Sequence, residues 1–293
     1  MAQSTIPVYE IDAFIHASIT KGFYCNSLKR HLSEHHFVFV PHKHNFYLSV
    51  LFTKGKGKHE IDFKTYDVKP GSLFLLSPGQ VHNWILSQDA DGYVFFHTRE
   101  FYELGFSRRK IQDLPFFSSI YTSPLLLPEK NLLQKTIFYF KELLQEYTQG
   151  SDVFKEAKLR SLIDLVYIEL AKIYQPVKKS RGNNSGYLEK LRKFELLVDR
   201  NFRENKSASA YAGLLNITPK HLNRICRSCL NKTSTELITD RIILEAKRIL
   251  IRKERSVSQV ADELGFDDFS YFNRLFRKKT KLTPLQFVSK YKE

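Results

Sequence analysis

Residues 260–287 read VADELGFDDFSYFNRLFRKKTKLTPLQF, and this stretch decides how the last third of the chain folds. Val260, Ala261 and Leu264 keep the spacing of one helical face, and Ser256 with Gln259 upstream has the pattern of a capping box. Gly265 supplies the positive φ that ends such a helix, and Asp267 is placed to cap the next one. That second helix carries Phe269, Phe272, Leu275 and Phe276 on an inner face and Ser270, Asn273, Arg274 and Arg277 on an outer one. The unit is two helices joined by a tight turn.

The same unit occurs twice. LNRICR at 222–227 and FNRLFR at 272–277 match at a period of 50, with Asn223/Asn273, Arg224/Arg274 and Arg227/Arg277 identical. Upstream the period is 49 (Ser207/Ser256, Ala212/Ala261, Leu215/Leu264), so one residue is inserted in the intervening turn; downstream Thr233 meets Thr283. In the first copy Asn216 stands in the glycine's place, and Thr218-Pro219 gives an N-cap followed by a first-turn proline. Its second helix sets Leu222, Ile225, Cys226 and Cys229 inward and Lys220, Asn223, Arg224 and Arg227 outward. Residues 237–250, LITDRIILEAKRIL, read as an amphipathic linker helix with Asp240, Arg241 and Lys247 on its polar side.

Asn and Arg on such a face suit bidentate contacts to adenine and guanine edges in a major groove, with Lys278 and Lys279 near phosphates. Arg and Lys on one isolated helix read as well as a solvated face. Repetition of the same residues in the same register weighs against that. A rigid linker helix would set the two outer faces about one duplex turn, roughly 34 Å, apart.

Charge agrees. The 293 residues suffice for two domains, and 46 Lys and Arg against 31 Asp and Glu give +15. From residue 187 onward the counts are 23 against 13, so the excess that favours a polyanion is concentrated there. A 42% hydrophobic, 14% aromatic composition excludes a disordered chain, and no 18-residue uncharged apolar window is present. The opening MAQSTIPVYEIDAF lacks a basic-then-apolar pattern, and three cysteines (Cys25, Cys226, Cys229) make no disulfide framework, so a cytoplasmic protein is expected. Cys226-x-x-Cys229 lies within a helix and has no second pair, which favours packing over redox or zinc chemistry.

Residues 177–186 (VKKSRGNNSG) read as a linker between domains at 1–176 and 187–293. Between about His36 and His97, short runs rich in Val, Phe, Tyr and Leu (HFVFV, FYLSVLF, HEIDF, SLFLL, GYVFFH) alternate with turn signals, the pattern of a jelly-roll sandwich or barrel. Helices are expected at about 129–148 and 152–175.

Residues 187–291, and 260–287 above all, resemble the DNA-binding domain of AraC/XylS-type transcription regulators: an A-x-x-L-G-F turn, an aromatic-rich second helix with an arginine, then T-P before the last helix. The resemblance implies two helix-turn-helix units on double-stranded promoter DNA. By position, Lys220, Asn223, Arg224, Ser270, Tyr271, Asn273 and Arg274 are its base-contact candidates, and Arg227, Arg277 and Lys278 complete the expected DNA-binding set. The first domain resembles the cupin-type sensor of ligand-responsive members, through PHKHNFY at 41–47, the G-K-G turn at 55–57 and KPGSLFLLSPGQVHNW at 69–84. His42, His44 and His82 match three ligands of metal cupins, but Leu48 stands near the place of the glutamate; no metal and no cofactor are expected.

The fold class is therefore multidomain α+β: an N-terminal cupin-like β-barrel with two following helices, and a C-terminal all-α domain of two helix-turn-helix units. His42, His44, Tyr47, His82, Trp84 and Phe95 are expected to line a pocket for a small effector such as a sugar. The resemblance further implies a homodimer paired through the helices at about 129–175, RNA polymerase as a partner, activation as the output and no enzymatic activity. The alternative is a metal-dependent cupin enzyme, an isomerase or dioxygenase, fused to a DNA-binding tail. A third reading is an architectural DNA binder without an effector.

Overall fold

A computed structural model describes residues 6–14, 20–105, 110–117, 119, 122–149, 152–174, 184–251 and 255–290. The chain divides into two compact units, Pro7–Val177 and one whose body is Lys178–Glu293. Of the expected linker at 177–186, residues 177–183 lie outside the described residues. Residues 184–186 are instead the first turn of a helix, since nothing there, proline least of all, forbids one.

The first unit opens with β1 (Val8–Tyr9), β2 (Phe23–Ser27), helix α1 (Leu28–Glu34) and β3 (Lys43–His44). There follow β4 (Tyr47–Lys54), β5 (Gly57–Ile61), β6 (Lys64–Val68), β7 (Leu73–Leu76), β8 (His82–Leu86), β9 (Asp91–His97) and helix α2 (Arg99–Glu103). β10 (Leu125–Leu126) leads to α3 (Lys130–Thr148) and α4 (Lys155–Ala171). The described strands form a five-stranded sheet in the order β10-β7-β4-β9-β2, a three-stranded sheet β6-β5-β8 and the parallel pair β1-β3, not one continuously bonded barrel. The run at His36–Phe39, expected as a strand, is a 3-10 turn. It follows α1 after a single residue, and Pro41, which has no amide hydrogen, delays pairing until His42 bonds His82 in both directions (3.0 and 2.8 Å).

The five-stranded sheet is buried on both faces. Leu48, Val50 and Phe52 of β4, with Phe74, Val94 and Phe96, meet Ile61, Val68 and Trp84 of the smaller sheet. The alternate residues, among them Tyr47, Leu51, Leu73, Leu75 and Phe95, pack on Phe140, Leu143, Ile163, Val166 and Tyr167 of α3 and α4. A sheet covered on both sides reads as near-continuous apolar runs such as FYLSVLF, interrupted only by Ser49. Each wholly buried Phe contributes roughly 1.5–3 kcal/mol. The helix pair is fixed by Lys155, a buried lysine whose Nζ donates to the carbonyls of Tyr147 (3.0 Å) and Gln149 (2.6 Å) at the end of α3.

The second unit is helical: α5 (Asn184–Asn201), α6 (Ala208–Leu214), α7 (Pro219–Leu230), α8 (Ser234–Leu250), α9 (Val257–Glu263), α10 (Phe269–Thr280) and α11 (Pro284–Lys290). α8 begins three residues before the expected 237, because Thr233 and Glu236 close a capping box ahead of it. Its buried residues, Leu237, Ile238, Ile242, Ile243, Ala246, Ile249 and Leu250, form the spine on which both repeats pack.

Candidate functional site

The two repeats fold alike. α6 and α9 end in the same hydrogen-bonded turn: Ile217 N and Phe266 N each donate to the carbonyl five residues back, Ala212 and Ala261, both at 3.0 Å. The turn needs a positive φ, which Asn216 adopts at 52° and Gly265 at 70°. The period then changes from 49 to 50, and the inserted residue is Asp267. The expected cap therefore falls one residue later: Asp268 accepts from the amides of Ser270 (2.7 Å) and Tyr271 (3.1 Å), as Thr218 accepts from His221 (3.1 Å). Both second helices end on left-handed residues, Asn231 and Lys281, and both are followed by a threonine-capped helix.

On α7, Leu222, Ile225 and Cys226 are buried; on α10, Phe272 and Phe276 are buried and Leu275 half-buried. Cys226 fills the place of Phe276 in the core, where burial pushes its thiol up to about 12. Phe269, expected inside, is 43% exposed: it is the first residue of α10, three positions ahead of buried Phe272. Lys220, Arg224, Arg227, Ser270, Tyr271, Arg274, Arg277 and Lys278 all face solvent.

The two asparagines are less exposed. Asn223 and Asn273 are half-buried, and Asn223 Oδ1 accepts from the amide of Ser234 at 3.2 Å, tying α7 to the start of α8. Lys279 departs further from its expected phosphate role. Its Nζ lies 2.8 Å from Asp240 Oδ1, while Lys232 lies 2.6 Å from Asp240 Oδ2. Burial raises the Asp240 pKa, but the two lysine bonds outweigh it and hold the carboxyl below its usual range. Arg241 of α8 pairs with Asp199 (2.6 Å) and Glu245 (2.9 Å) and lies over the Phe202 ring.

His221, which no pattern in the sequence marks, occupies the place of Tyr271. Its Nδ1 accepts from Arg224 Nη2 at 2.7 Å, and burial with the nearby Arg224 and Lys190 charges lowers its pKa. The Arg224 guanidinium also lies 5.9 Å from the Tyr187 ring centre. Across the repeat, Arg274 is 69% exposed and lies 3.7 Å from Asp268.

In the β unit the six expected pocket residues do not share a face. Tyr47 and Phe95 point to α3 and α4: Tyr47 stacks on His97 (5.4 Å), and Phe95 packs on Phe140 (4.9 Å). Their odd numbers on β4 and β9 put them opposite the even-numbered core residues, so the pleat separates them from Trp84. His42, His44, His82 and Trp84 are together on the inner side, joined by His59.

Their tautomers follow from a proton count. His44 Nδ1 lies 3.0 Å from the Phe46 carbonyl and must donate, which leaves His44 Nε2 as an acceptor for His82 Nε2–H at 3.1 Å. His82 Nδ1 then accepts from His59 Nε2–H at 2.9 Å. His42 Nδ1 donates separately to the Val40 carbonyl at 2.9 Å. Burial drives His42 down to about 4 and His44 to about 3, and takes His59 and His82 well below the ordinary value, so all four are neutral. Among the described residues, no group of three His, Cys, Asp or Glu is spaced to hold a metal ion.

A further buried histidine, His97, sits on the other face of the sheet. His97 Nδ1 donates to the Thr98 carbonyl (2.9 Å), and its Nε2 accepts from the Tyr167 hydroxyl (2.7 Å), which faces Ser49 Oγ at 3.3 Å. This path bonds the sheet to α4.

Comparison with known proteins assigns a family to each unit. Residues 27–163 match the profile of the AraC-like ligand binding domain, and residues 211–290 match a helix-turn-helix domain. The transcriptional activator RhaS of Enterobacter sp. (strain 638) is 21% identical over 84% of this chain and 86% of its own. The arabinose operon regulatory protein of Salmonella typhimurium is 21% identical over 82% of this chain and 83% of its own. Among solved structures, ToxT from Vibrio cholerae aligns over 93% of this chain and 100% of its own at 17% identity, with a TM-score of 0.44.

Proposed function

This chain belongs to the AraC family of transcription regulators, and from that footing we propose that it is a ligand-responsive activator whose two recognition helices, α7 and α10, enter successive major grooves of one promoter site. One observation carries the proposal: Arg224/Arg274 and Arg227/Arg277 project to solvent in register from two helices that pack by their opposite faces. Lys220, Ser270 and Tyr271 stand beside them at the helix starts, where base edges are met. Asn223, engaged with α8, acts mainly as a brace, and Asn273 remains a base-contact candidate.

In the β unit, the inner cluster of His42, His44, His82 and Trp84 is the proposed place for a small polar effector, sugars among them, while Tyr47 and Phe95 belong to the support behind it. The helices α3 and α4 leave Phe138 and Leu165 exposed, which supports a homodimer formed through them. RNA polymerase is the partner that an activator's output requires, and the cytoplasm its place of action. No helix among the described residues is long and apolar enough to cross a membrane. The cupin-enzyme alternative draws no support from these relatives, which are named as regulators.

Selection of duplexes from a randomised pool by the full-length chain at fixed salt tests the reading. The expected outcome is an enriched pair of motifs about one helical turn apart. Salt-sensitive retention without any enriched sequence would contradict it.

A further inference from the structure

α10 exposes two aromatic rings, and one of them stands beside its outward arginines. Tyr271 is 50% exposed, and its ring rests on Phe266, itself buried, with centroids 6.0 Å apart. At about 100° per residue it lies roughly 60° around the helix from Arg274 and about 140° from the core residue Phe276. A propped aromatic ring thus stands within a face of Ser270, Arg274, Arg277 and Lys278. Those cations suit a polyanion, and of the four bases only thymine offers an apolar group, its 5-methyl, in the major groove.

We propose that Tyr271 selects thymine in the half-site read by α10, its ring packing against the 5-methyl group. The inference rests on the DNA-binding reading above and deepens it. The first unit has no equivalent device, because His221 stands in that place and its Nδ1 is occupied by Arg224. The other exposed aromatic of α10, Phe269, lies about 160° around the helix from Tyr271 and cannot share the contact.

The test uses the full chain and the duplex it selects, remade with deoxyuridine in place of each thymine in turn, which removes the methyl and leaves pairing intact. The half-site of α10 is the one at which Arg274→Ala loses discrimination. There, one uracil is expected to weaken binding about three- to five-fold, the effect of one buried methyl. Tyr271→Ala is expected to bind thymine and uracil duplexes equally, whereas Tyr271→Phe and Phe269→Ala keep the preference. Indifference of the parent chain to uracil throughout that half-site overturns the proposal alone. So does a uracil penalty that survives Tyr271→Ala or vanishes in Tyr271→Phe. A pool that yields no enriched duplex overturns the DNA-binding reading as well.

Discussion

The two helix-turn-helix units keep the same turn and outward arginines, yet they meet the same demand with different residues. Both turns require a positive φ. In the second, a Cβ on Gly265 would stand 2.1 Å from the Arg203 carbonyl oxygen and 2.8 Å from Lys206 Nζ, so glycine is required by close approach as well as by φ. In the first, Asn216 adopts nearly the same φ with its side chain exposed. An asparagine in the glycine's place is therefore not a weakened copy: conformation alone admits Asn, and only a crowding backbone demands Gly.

The difference can be broken most forcefully at that residue. Gly265→Ala is expected to cost about 3 kcal/mol or more, combining left-handed strain with a backbone clash, while Asn216→Ala costs about 1–2 kcal/mol. Equal losses in denaturant melts would show that Arg203 yields and that the turns are equivalent. On DNA, Arg274→Ala and Arg224→Ala should each cost about 1–3 kcal/mol and relax discrimination at different base pairs one turn apart. A uniform loss on specific and random duplexes would remove both arginines from the grooves. Lys279→Ala should act mainly through Asp240, a partly exposed pair worth at most about 1 kcal/mol.

Smaller effects sharpen the comparison. Ser256 caps α9 through its side chain, with Gln259 closing the box, whereas Ser207 makes no side-chain cap bond and has Ala210 in the glutamine's place. Ser256→Ala should cost about 1 kcal/mol and Ser207→Ala only a few tenths; the reverse order in thermal melts would refute the cap assignment. Asn223→Ala should cost about 0.5–1 kcal/mol for its bond to the Ser234 amide. Asn273→Ala should be nearly silent in stability, because the position matching Ser234 is Pro284, which has no amide hydrogen to offer.

Much of the second unit was legible because a repeat supplies its own alignment. Asn216/Gly265, Thr233/Thr283 and the arginine pairs were visible in register, and the structure seats them alike. What stayed hidden depends on a neighbour outside the repeat's own helices. Asn223 looks like Asn273 until the first residue of α8 comes beneath it, and Lys279 looks like a phosphate contact until Asp240 reaches it. In the β unit the apolar runs revealed strands but not faces. FYLSVLF and GYVFFH carry bulky apolar residues on both faces of their strands, so Tyr47 and Phe95 could not be assigned to the helix side from pattern alone. β6, KTYDV, alternates too weakly to mark a strand by its pattern. His59 joins His82 only through the pairing of β5 with β8.

The buried imidazoles make unfolding of the β unit a proton-consuming event. His31, His42, His44, His59, His82 and His97 are all held below their ordinary pKa by burial, so the folded chain keeps them uncharged at mildly acid pH. An unfolded chain protonates each near pH 6.5. Stability is thus full above about 6.5 and drains by about 1.4 kcal/mol per pH unit for each histidine below it. For His42 and His97 the drain stops near 4, and for His44 near 3, where they charge in place. The helical unit holds a single histidine, His221, and has little to lose. Acid therefore behaves as a denaturant aimed at one half of the chain, and calorimetry between pH 7 and 5 should find the β-unit transition moving down while the helical one stays.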